Sequence, residues 1–297
     1  MTESVLTYVL PVVAAFVWAG SIVVTRRALL HGASALQATP ASALVNVPLY
    51  WVTLGAAVAL GAATPVFTPT VVAAFVASGL VGTTGARLVS NRGIDRLGAS
   101  VNAAAVSTRP LFAAVLALFV LDEVVAPATA AGVVVLVAGV VLLSLSGGGK
   151  IGGWPKASLA LPLAAAALFA VSDVLRRFGL TVAPVPALQG VAVHEVAGLV
   201  GLVVVAAAIR GRDVLAVPAD ARRSLLVGGA LFGVAMLLFV EALRRGKVAV
   251  VTALAGTAPL FVTVLSHLFL PGVERLTRGM IVATLLIVLG GGVIVLF

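Results

Sequence analysis

The sequence contains no cysteine, and only 10% of its residues are charged. Without thiols the chain has no disulfides, no thiolate metal ligands and no cysteine nucleophile. Its three histidines, His31, His194 and His267, lack the spacing of a metal site. Because soluble domains are about 25% charged, the low charge excludes water as the solvent around most of the surface.

Apolar residues dominate instead, at 62% of the chain, and the mean hydropathy is +1.23. This composition is typical of a polytopic protein embedded in a lipid bilayer. The net charge is +9, but most basic residues lie singly or in pairs at the ends of apolar runs, as in Arg26-Arg27 and Arg176-Arg177. We interpret these pairs as flanking charges that orient membrane spans. No basic soluble domain exists, which argues against nucleic acid as a partner.

A membrane-spanning helix needs about 20 apolar residues, and ten runs approach that length. The predicted spans cover residues 7–24, 40–62, 70–91, 99–121, 127–145, 159–175, 186–209, 224–243, 248–270 and 279–296. A stretch rich in glycine and lysine separates the first five from the last five and is predicted to be flexible. The predicted organisation is a first repeat in residues 1–146, a linker in residues 147–157 and a second repeat in residues 158–297.

The two halves share a sequence pattern. The segment Thr108–Glu123, TRPLFAAVLALFVLDE, is matched by Thr257–Glu274, TAPLFVTVLSHLFLPGVE, with a proline in third place in both. Gly139 similarly aligns with Gly290. Five is an odd number of spans, so the second half must enter the membrane from the opposite side. We therefore predict an all-α integral membrane protein of ten transmembrane helices, arranged as an inverted repeat of five plus five.

These features resemble the EamA-type branch of the drug/metabolite transporter superfamily. The pattern is an apolar span ending in Ala-Leu-Arg-Arg-Gly, a span with an internal proline, a glutamate and a glycine-bearing last span. The residues that carry it are Ala242–Gly246, Pro110, Glu123, Gly139, Pro259, Glu274, Arg275 and Gly290. Trp18 also matches the first span of that family. The resemblance implies a central cavity lined by spans 1, 3, 4, 6, 8 and 9, and Trp18 is a predicted substrate-binding residue.

Charged side chains at the centre of a membrane span cost about 2.5–3.5 kcal/mol on insertion scales, so each one needs a reason. Arg87 in the third span and Arg109 in the fourth are the most informative. One hypothesis is that both bind an anionic group of the substrate, since guanidinium geometry suits a carboxylate or phosphate. The alternative is that each forms a structural ion pair with Asp173, Glu195 or Glu241.

Those three carboxylates are also candidates for proton coupling. Asp173 is favoured over Glu241, which lies near a helix end, and we count Asp173 among the predicted substrate-binding residues as well. Pro110 and Pro259 interrupt helical hydrogen bonding at matching places in the two halves. Such paired interruptions point to a transporter site, so both prolines are predicted substrate-binding residues, and a tolerated kink is the structural alternative.

The function that these observations favour is a secondary transporter that moves a small metabolite, anionic or amino-acid-like, by alternating access. No GxxxxGK[ST] sequence is present, so the chain lacks a P-loop through which nucleotide hydrolysis could drive transport. The alternative is a membrane-embedded enzyme that processes lipids or isoprenoids, but the acids are scattered singly over the spans rather than clustered. We expect no enzymatic activity, no cofactor and no bound metal. A channel is a third reading, and a single inverted repeat fits a carrier better.

The expected partners are a small-molecule substrate and the lipid bilayer, in a multi-pass protein of the plasma membrane. The sequence leaves monomer and homodimer open. Lys and Arg are more frequent in the loops that follow odd-numbered spans, so the positive-inside rule predicts both termini outside the cytoplasm. The family resemblance implies the opposite orientation, with both termini in the cytoplasm.

Overall fold

Every regular element of the described chain is helical. The computed structural model describes residues 2–33, 35–97, 99–146, 156–210, 217–269 and 278–296. Helices suit so apolar a sequence because a backbone in lipid must satisfy its hydrogen bonds within its own segment. The predicted linker lies largely outside the described residues, as do Glu274 and Arg275.

The described residues of the first half form seven α-helices. They are α1 Thr2–Leu30, α2 Ala35–Ala59, α3 Pro69–Ser78, α4 Arg87–Leu97, α5 Ala99–Val106, α6 Arg109–Leu121 and α7 Pro127–Ser146. A π-helical segment, Gly79–Ala86, joins α3 to α4 without a turn. At the start of α3 the side chain of Thr68 accepts a hydrogen bond from the Val71 N–H group, and Pro69 occupies the first turn. Both features favour a helix start at this point.

The second half repeats this order with fewer interruptions. A short 3₁₀ turn, Lys156–Leu159, leads into α8. The helices are α8 Ala160–Thr181, α9 Ala187–Arg210, α10 Ala219–Arg245, α11 Val248–Ala255, α12 Ala258–Phe269 and α13 Arg278–Leu296.

Seven helical stretches in the described residues, of 19 to 27 residues each, are long and apolar enough to cross a membrane. The helix α8 is not among them, since it carries Asp173, Arg176 and Arg177 within its length. Two further apolar helices, Arg109–Leu121 and Val248–Val262, are shorter. The structure is therefore that of a multi-pass membrane protein, and the count of ten spans remains a prediction.

Reciprocal contacts join the two halves. The Ser21 hydroxyl of α1 donates to the Gly228 carbonyl of α10 at 2.7 Å, and the Ser172 hydroxyl of α8 donates to the Ser78 carbonyl at 2.8 Å. The first helix of each half thus bonds the third span of the other half. This exchange of partners is what a pair of repeats related by a twofold axis would make.

The last helices of the two halves, α7 and α13, pack closely through glycine. A Cβ atom on Gly139 would lie 2.8 Å from the Ile287 nitrogen, and one on Gly290 would lie 2.7 Å from the Gly132 carbonyl oxygen. Both approaches are closer than real Cβ atoms tolerate, so these positions need glycine. Packing through small residues is a main source of helix association in lipid.

Candidate functional site

A cavity of about 360 Å³ lies between the two halves. Five of the residues predicted to bind substrate line it: Trp18, Arg87, Arg109, Pro110 and Pro259. The wall is otherwise mostly apolar and includes residues that the sequence did not single out, namely Ile22, Val106, Phe169, Phe232, Met236 and Phe239. Its volume is at the lower end of the roughly 300–1,000 Å³ range of small-molecule sites.

Two broken helices bring their ends to this cavity. The break between α5 and α6 falls at Ser107-Thr108, and the break between α11 and α12 falls at Gly256-Thr257. The Thr108 hydroxyl donates to the Ala105 carbonyl at 2.6 Å, and the Thr257 hydroxyl donates to the Leu254 carbonyl at 2.7 Å. A threonine side-chain hydrogen bond of the same kind therefore closes the last turn of the helix before each break, α5 in the first half and α11 in the second.

The two prolines lie just beyond these breaks, each as the second residue of the following helix, rather than inside a continuous helix. Proline has no N–H group, so the carbonyls of Val106 and Ala255, four residues earlier, lose their usual helical donor. Both residues line the cavity. The prolines thus leave one carbonyl acceptor from each half at the cavity wall. The two acceptors match because each proline follows its helix break at the same distance along the chain.

Arg109 is held by the buried carboxylate of Asp173. Its Nε and Nη2 atoms each donate to one carboxylate oxygen at 2.5 Å. Arg176 donates to the same carboxylate through Nη1 at 2.7 Å. Asp173 is 0% exposed and does not itself line the cavity, whereas the Arg109 side chain is 23% exposed. Asp173 therefore affects the cavity indirectly, by orienting the Arg109 side chain.

The interpretation of Arg176 as a flanking charge was wrong. Helix α8 continues to Thr181, beyond the predicted end of the span, and the Arg176 side chain is only 4% exposed. It lies three residues after Asp173, on the same helical face, and it lines the cavity. The i,i+3 spacing was the one sequence signal that could have identified it.

His194 is fixed as a neutral ring behind Arg176. The Ser78 hydroxyl donates to the Phe75 carbonyl at 2.8 Å, so it accepts from His194 Nδ1, which lies 2.8 Å away. Arg176 Nη2 has only donors to offer and lies 3.1 Å from His194 Nε2, with the Thr83 hydroxyl also at 3.1 Å. The proton is therefore on Nδ1 and the lone pair on Nε2. This arrangement favours a structural role for the ring over a proton relay.

Arg87 follows directly after the π-helical segment Gly79–Ala86. Its guanidinium carbon lies 4.8 Å from the centre of the Phe232 ring, within the range of a cation–π contact. Glu195 of α9 interacts electrostatically with Arg87 and is 2% exposed. One Glu195 oxygen, Oε2, has no hydrogen-bond partner in the described part of the chain. π-Helical turns recur at functional sites, and this one places Arg87 at the wall.

Aromatic rings surround the cationic part of the cavity. The Arg109 guanidinium carbon lies 5.4 Å from the ring centres of both Phe169 and Phe239. The Trp18 ring lies 5.3 Å from Phe239 and 6.2 Å from Phe232. We call Trp18, Phe169, Phe232 and Phe239 the aromatic box. Apolar residues at helical spacing can equally belong to the core or to a binding site. For this reason the sequence alone did not identify Phe169, Phe232 and Phe239.

Glu241 lies away from the cavity, near the end of α10. Its carboxylate accepts hydrogen bonds from Arg244 and Arg245, with shortest distances of 2.7 Å. Glu241 is not among the cavity-lining residues. The structure thus brings Arg87, Arg109 and Asp173 together, with Glu195 behind them, and leaves Glu241 at the helix end.

A second polar cluster joins four elements at the end of the bundle where α1 begins. The Glu123 carboxylate accepts from Arg177 Nε at 2.9 Å and from the N–H group of Val248, the first residue of α11, at 2.8 Å. Arg177 Nη1 also donates to the Leu243 carbonyl at 2.7 Å. Glu123 therefore caps α11 and ties α8 and α10 to the loop after α6, on one side of the cavity.

Within the described residues, no group of three or more histidine, aspartate or glutamate side chains could hold a metal ion. Among the described residues, three arginines line the cavity, and two carboxylates and one neutral histidine interact with those arginines from outside its wall. That set can bind an anion, hold a proton on a carboxylate, or form ion pairs between helices.

Known proteins resemble this chain in sequence pattern and in fold. Residues 5–145 match the family model described as the EamA-like transporter family, and residues 156–296 match it a second time. A crystal structure of another protein superposes with a TM-score of 0.80 over 97% of this chain and 94% of its own, at 18% sequence identity. That identity supports a common fold alone. Among curated proteins, no sequence matches.

Proposed function

The chain belongs to the EamA-like transporter family, and on that premise we propose that it is a secondary carrier of a small metabolite. The cargo occupies the cavity between two inverted five-helix repeats, and alternating access exposes that cavity to each side of the membrane in turn. The observation that carries this proposal is the pair of matched helix breaks at one cavity. Broken helices at corresponding places in two repeats are a feature of transporter sites.

In this proposal Arg109 and Arg87 contact the anionic part of the substrate, and Trp18, Pro110 and Pro259 contact the rest. Asp173 holds Arg109 in place through two hydrogen bonds. The helix breaks at Ser107-Thr108 and Gly256-Thr257 are the hinges. Breaks of this kind let half-helices tilt without loss of their internal hydrogen bonds.

The Glu123 cluster is the proposed contact that closes one end of the pathway. It joins α8, α10 and α11 through Arg177 and Val248, so opening that end requires these bonds to separate. The counterpart in the second half, Glu274, lies outside the described residues. Clusters that bridge moving elements are common in gates because a few bonds can be exchanged between two states.

Asp173 and Glu195 are the proposed proton-coupling groups. Both are carboxylic acids buried at 2% exposure or less beside arginines, and such groups exchange protons in many coupled carriers. Glu241 was a further candidate, but it does not line the cavity, and its two arginine partners favour a structural role. We place the protein in the plasma membrane and keep the charge-based orientation, with both termini outside.

The test of this function is flux through purified protein in proteoliposomes. A carrier gives uptake that saturates with substrate concentration and is accelerated by unlabelled substrate on the opposite side. If uptake is proton-coupled, it also falls when a protonophore collapses the pH gradient. Flux that stays proportional to concentration, without counter-exchange, would indicate a channel, and release of a chemically altered product would indicate an enzyme.

A further inference from the structure

We infer that the cavity takes a monoanion with an apolar, ring-sized body and without a balancing ammonium group. This inference rests on the proposed function, because it names the substrate class of the same site. Its first basis is the charge balance of the buried groups. Among the described residues, Arg87, Arg109 and Arg176 interact electrostatically with Asp173 and Glu195, so this set carries one net positive charge when both carboxyl groups are ionised. A ligand with one negative charge completes the balance.

The second basis is the set of hydrogen-bond groups without a partner. Arg109 uses Nε and Nη2 on Asp173, and its Nη1 atom has no acceptor within the described residues. Arg176 Nε and Trp18 Nε1 are buried N–H groups that also lack an acceptor there. All three are donors on residues that line the cavity. A carboxylate offers about four lone-pair positions to such donors.

The wall contains no carboxylate among its described residues that could face an ammonium group. Asp173 is already engaged by both Arg109 and Arg176, and Glu195 lies behind Arg87. The matched carbonyls of Val106 and Ala255 can accept from a neutral donor such as a hydroxyl group, but they carry no full charge. A zwitterion would therefore leave the cavity's positive charge unbalanced, which is costly in a low-dielectric site.

The aromatic box sets the nature of the ligand body. Two of its rings, Phe169 and Phe239, lie 5.4 Å from the Arg109 guanidinium, so a carboxylate bound to Arg109 has its attached carbon skeleton among aromatic faces. Stacking and edge contacts with such rings favour another planar ring. The cavity volume of about 360 Å³ accommodates a single ring with a short side chain and leaves little room for a larger body.

The test uses four probes that share one phenyl ring and a short chain but differ in charge. They are 3-phenylpropanoate, L-phenylalanine, 2-phenylethylamine and benzylmalonate, which carry one negative charge, a balanced pair, one positive charge and two negative charges. Binding to the purified full-length protein is measured by equilibrium dialysis and by thermal shift. We expect 3-phenylpropanoate to bind at least about tenfold more tightly than the other three, a difference of one decade in Kd.

The substitution Arg109→Gln should abolish this preference, because two arginines and two carboxylates then leave the set with no net positive charge. Arg223→Gln removes a similar charge from an exposed position of α10 and should leave the preference intact. The inference is overturned if L-phenylalanine, the amine or the dianion binds as tightly as the monoanion, if none of the four binds, or if Arg109→Gln keeps the preference.

The same probes separate this inference from the proposed function. Tight binding of 3-phenylpropanoate without uptake into proteoliposomes supports the ligand class and contradicts the carrier. Saturable counter-exchange of a zwitterion or a cation supports the carrier and overturns the ligand class.

Discussion

Replacing Arg109 with glutamine should lower uptake by about 10- to 100-fold while the protein still inserts into the membrane. A hydrogen bond to a charged group contributes about 1.5–3 kcal/mol, and each 1.4 kcal/mol is about a tenfold change in affinity. The variant loses both the charge and the fork that Asp173 orients. Asp173 keeps its bond to Arg176, so no buried carboxylate is left without a cation. Initial uptake rates in proteoliposomes, normalised to inserted protein, measure the effect.

Two further variants sharpen this test. Arg109→Lys keeps the charge but not the planar fork, so it should recover only part of the uptake. Arg87→Gln should also reduce uptake strongly, because that guanidinium faces the same cavity. Arg223→Gln, at an exposed site on α10, is the matched control and should transport normally. Normal uptake by both Arg109→Gln and Arg87→Gln would show that these arginines serve only as structural partners.

The substitution Asp173→Asn should destabilise the protein by about 3–5 kcal/mol, the usual effect of breaking a buried ion pair by removing one partner. Asp173 is 0% exposed and binds two guanidinium groups. Without its charge, Arg109 and Arg176 would repel each other in a site of low dielectric. Thermal unfolding of the detergent-purified protein should therefore begin at a lower temperature, and the yield of folded protein should fall.

The double variant Asp173→Asn with Arg176→Gln separates repulsion from simple loss of contact. Removing one arginine relieves the repulsion, and glutamine can still donate to His194, so part of the stability should return. Glu241→Gln is the comparison at a more exposed ion pair, where surface pairs contribute only about 0–1 kcal/mol. An Asp173→Asn protein as stable as the wild type would show that this carboxylate does not hold the arginine pair together.

The repeat was the most informative feature of the sequence. Matching prolines at 110 and 259 predicted equivalent interruptions, and the breaks lie just before them. Composition and long apolar runs predicted a helical membrane protein, because a helix of about 20 apolar residues spans the bilayer and satisfies its own backbone hydrogen bonds. Intramembrane charge identified Arg87 and Arg109 as cavity candidates, since a charge in lipid needs a partner or a function.

Other parts of the site depend on tertiary packing that the sequence pattern does not encode. Arg176 follows an apolar run and is next to Arg177, so it looked like a flanking charge, yet α8 extends far enough to bury it. The rings of Phe169 and Phe239 come from two helices in the second half. Their approach to Arg109 in the first half depends on how the halves pack. Long-range proximity of this kind has no local sequence signal.

Alternating access is tested most directly by the accessibility of a single cysteine introduced at Ser107. The natural chain has no cysteine, so Ser107→Cys gives one thiol, at the helix break and on the cavity wall. Val115→Cys, on the outward face of α6 at 57% exposure, is the control that lipid should protect. A membrane-impermeant thiol reagent is added to one side of sealed vesicles at a time, with and without transported substrate.

If the cavity opens alternately to the two sides, we expect Ser107→Cys to be labelled from both sides, substrate to slow that labelling, and Val115→Cys to be labelled from neither side. Labelling of Ser107→Cys from one side only under every condition, or no protection by a substrate that is being transported, would contradict a cavity that opens alternately between the two repeats.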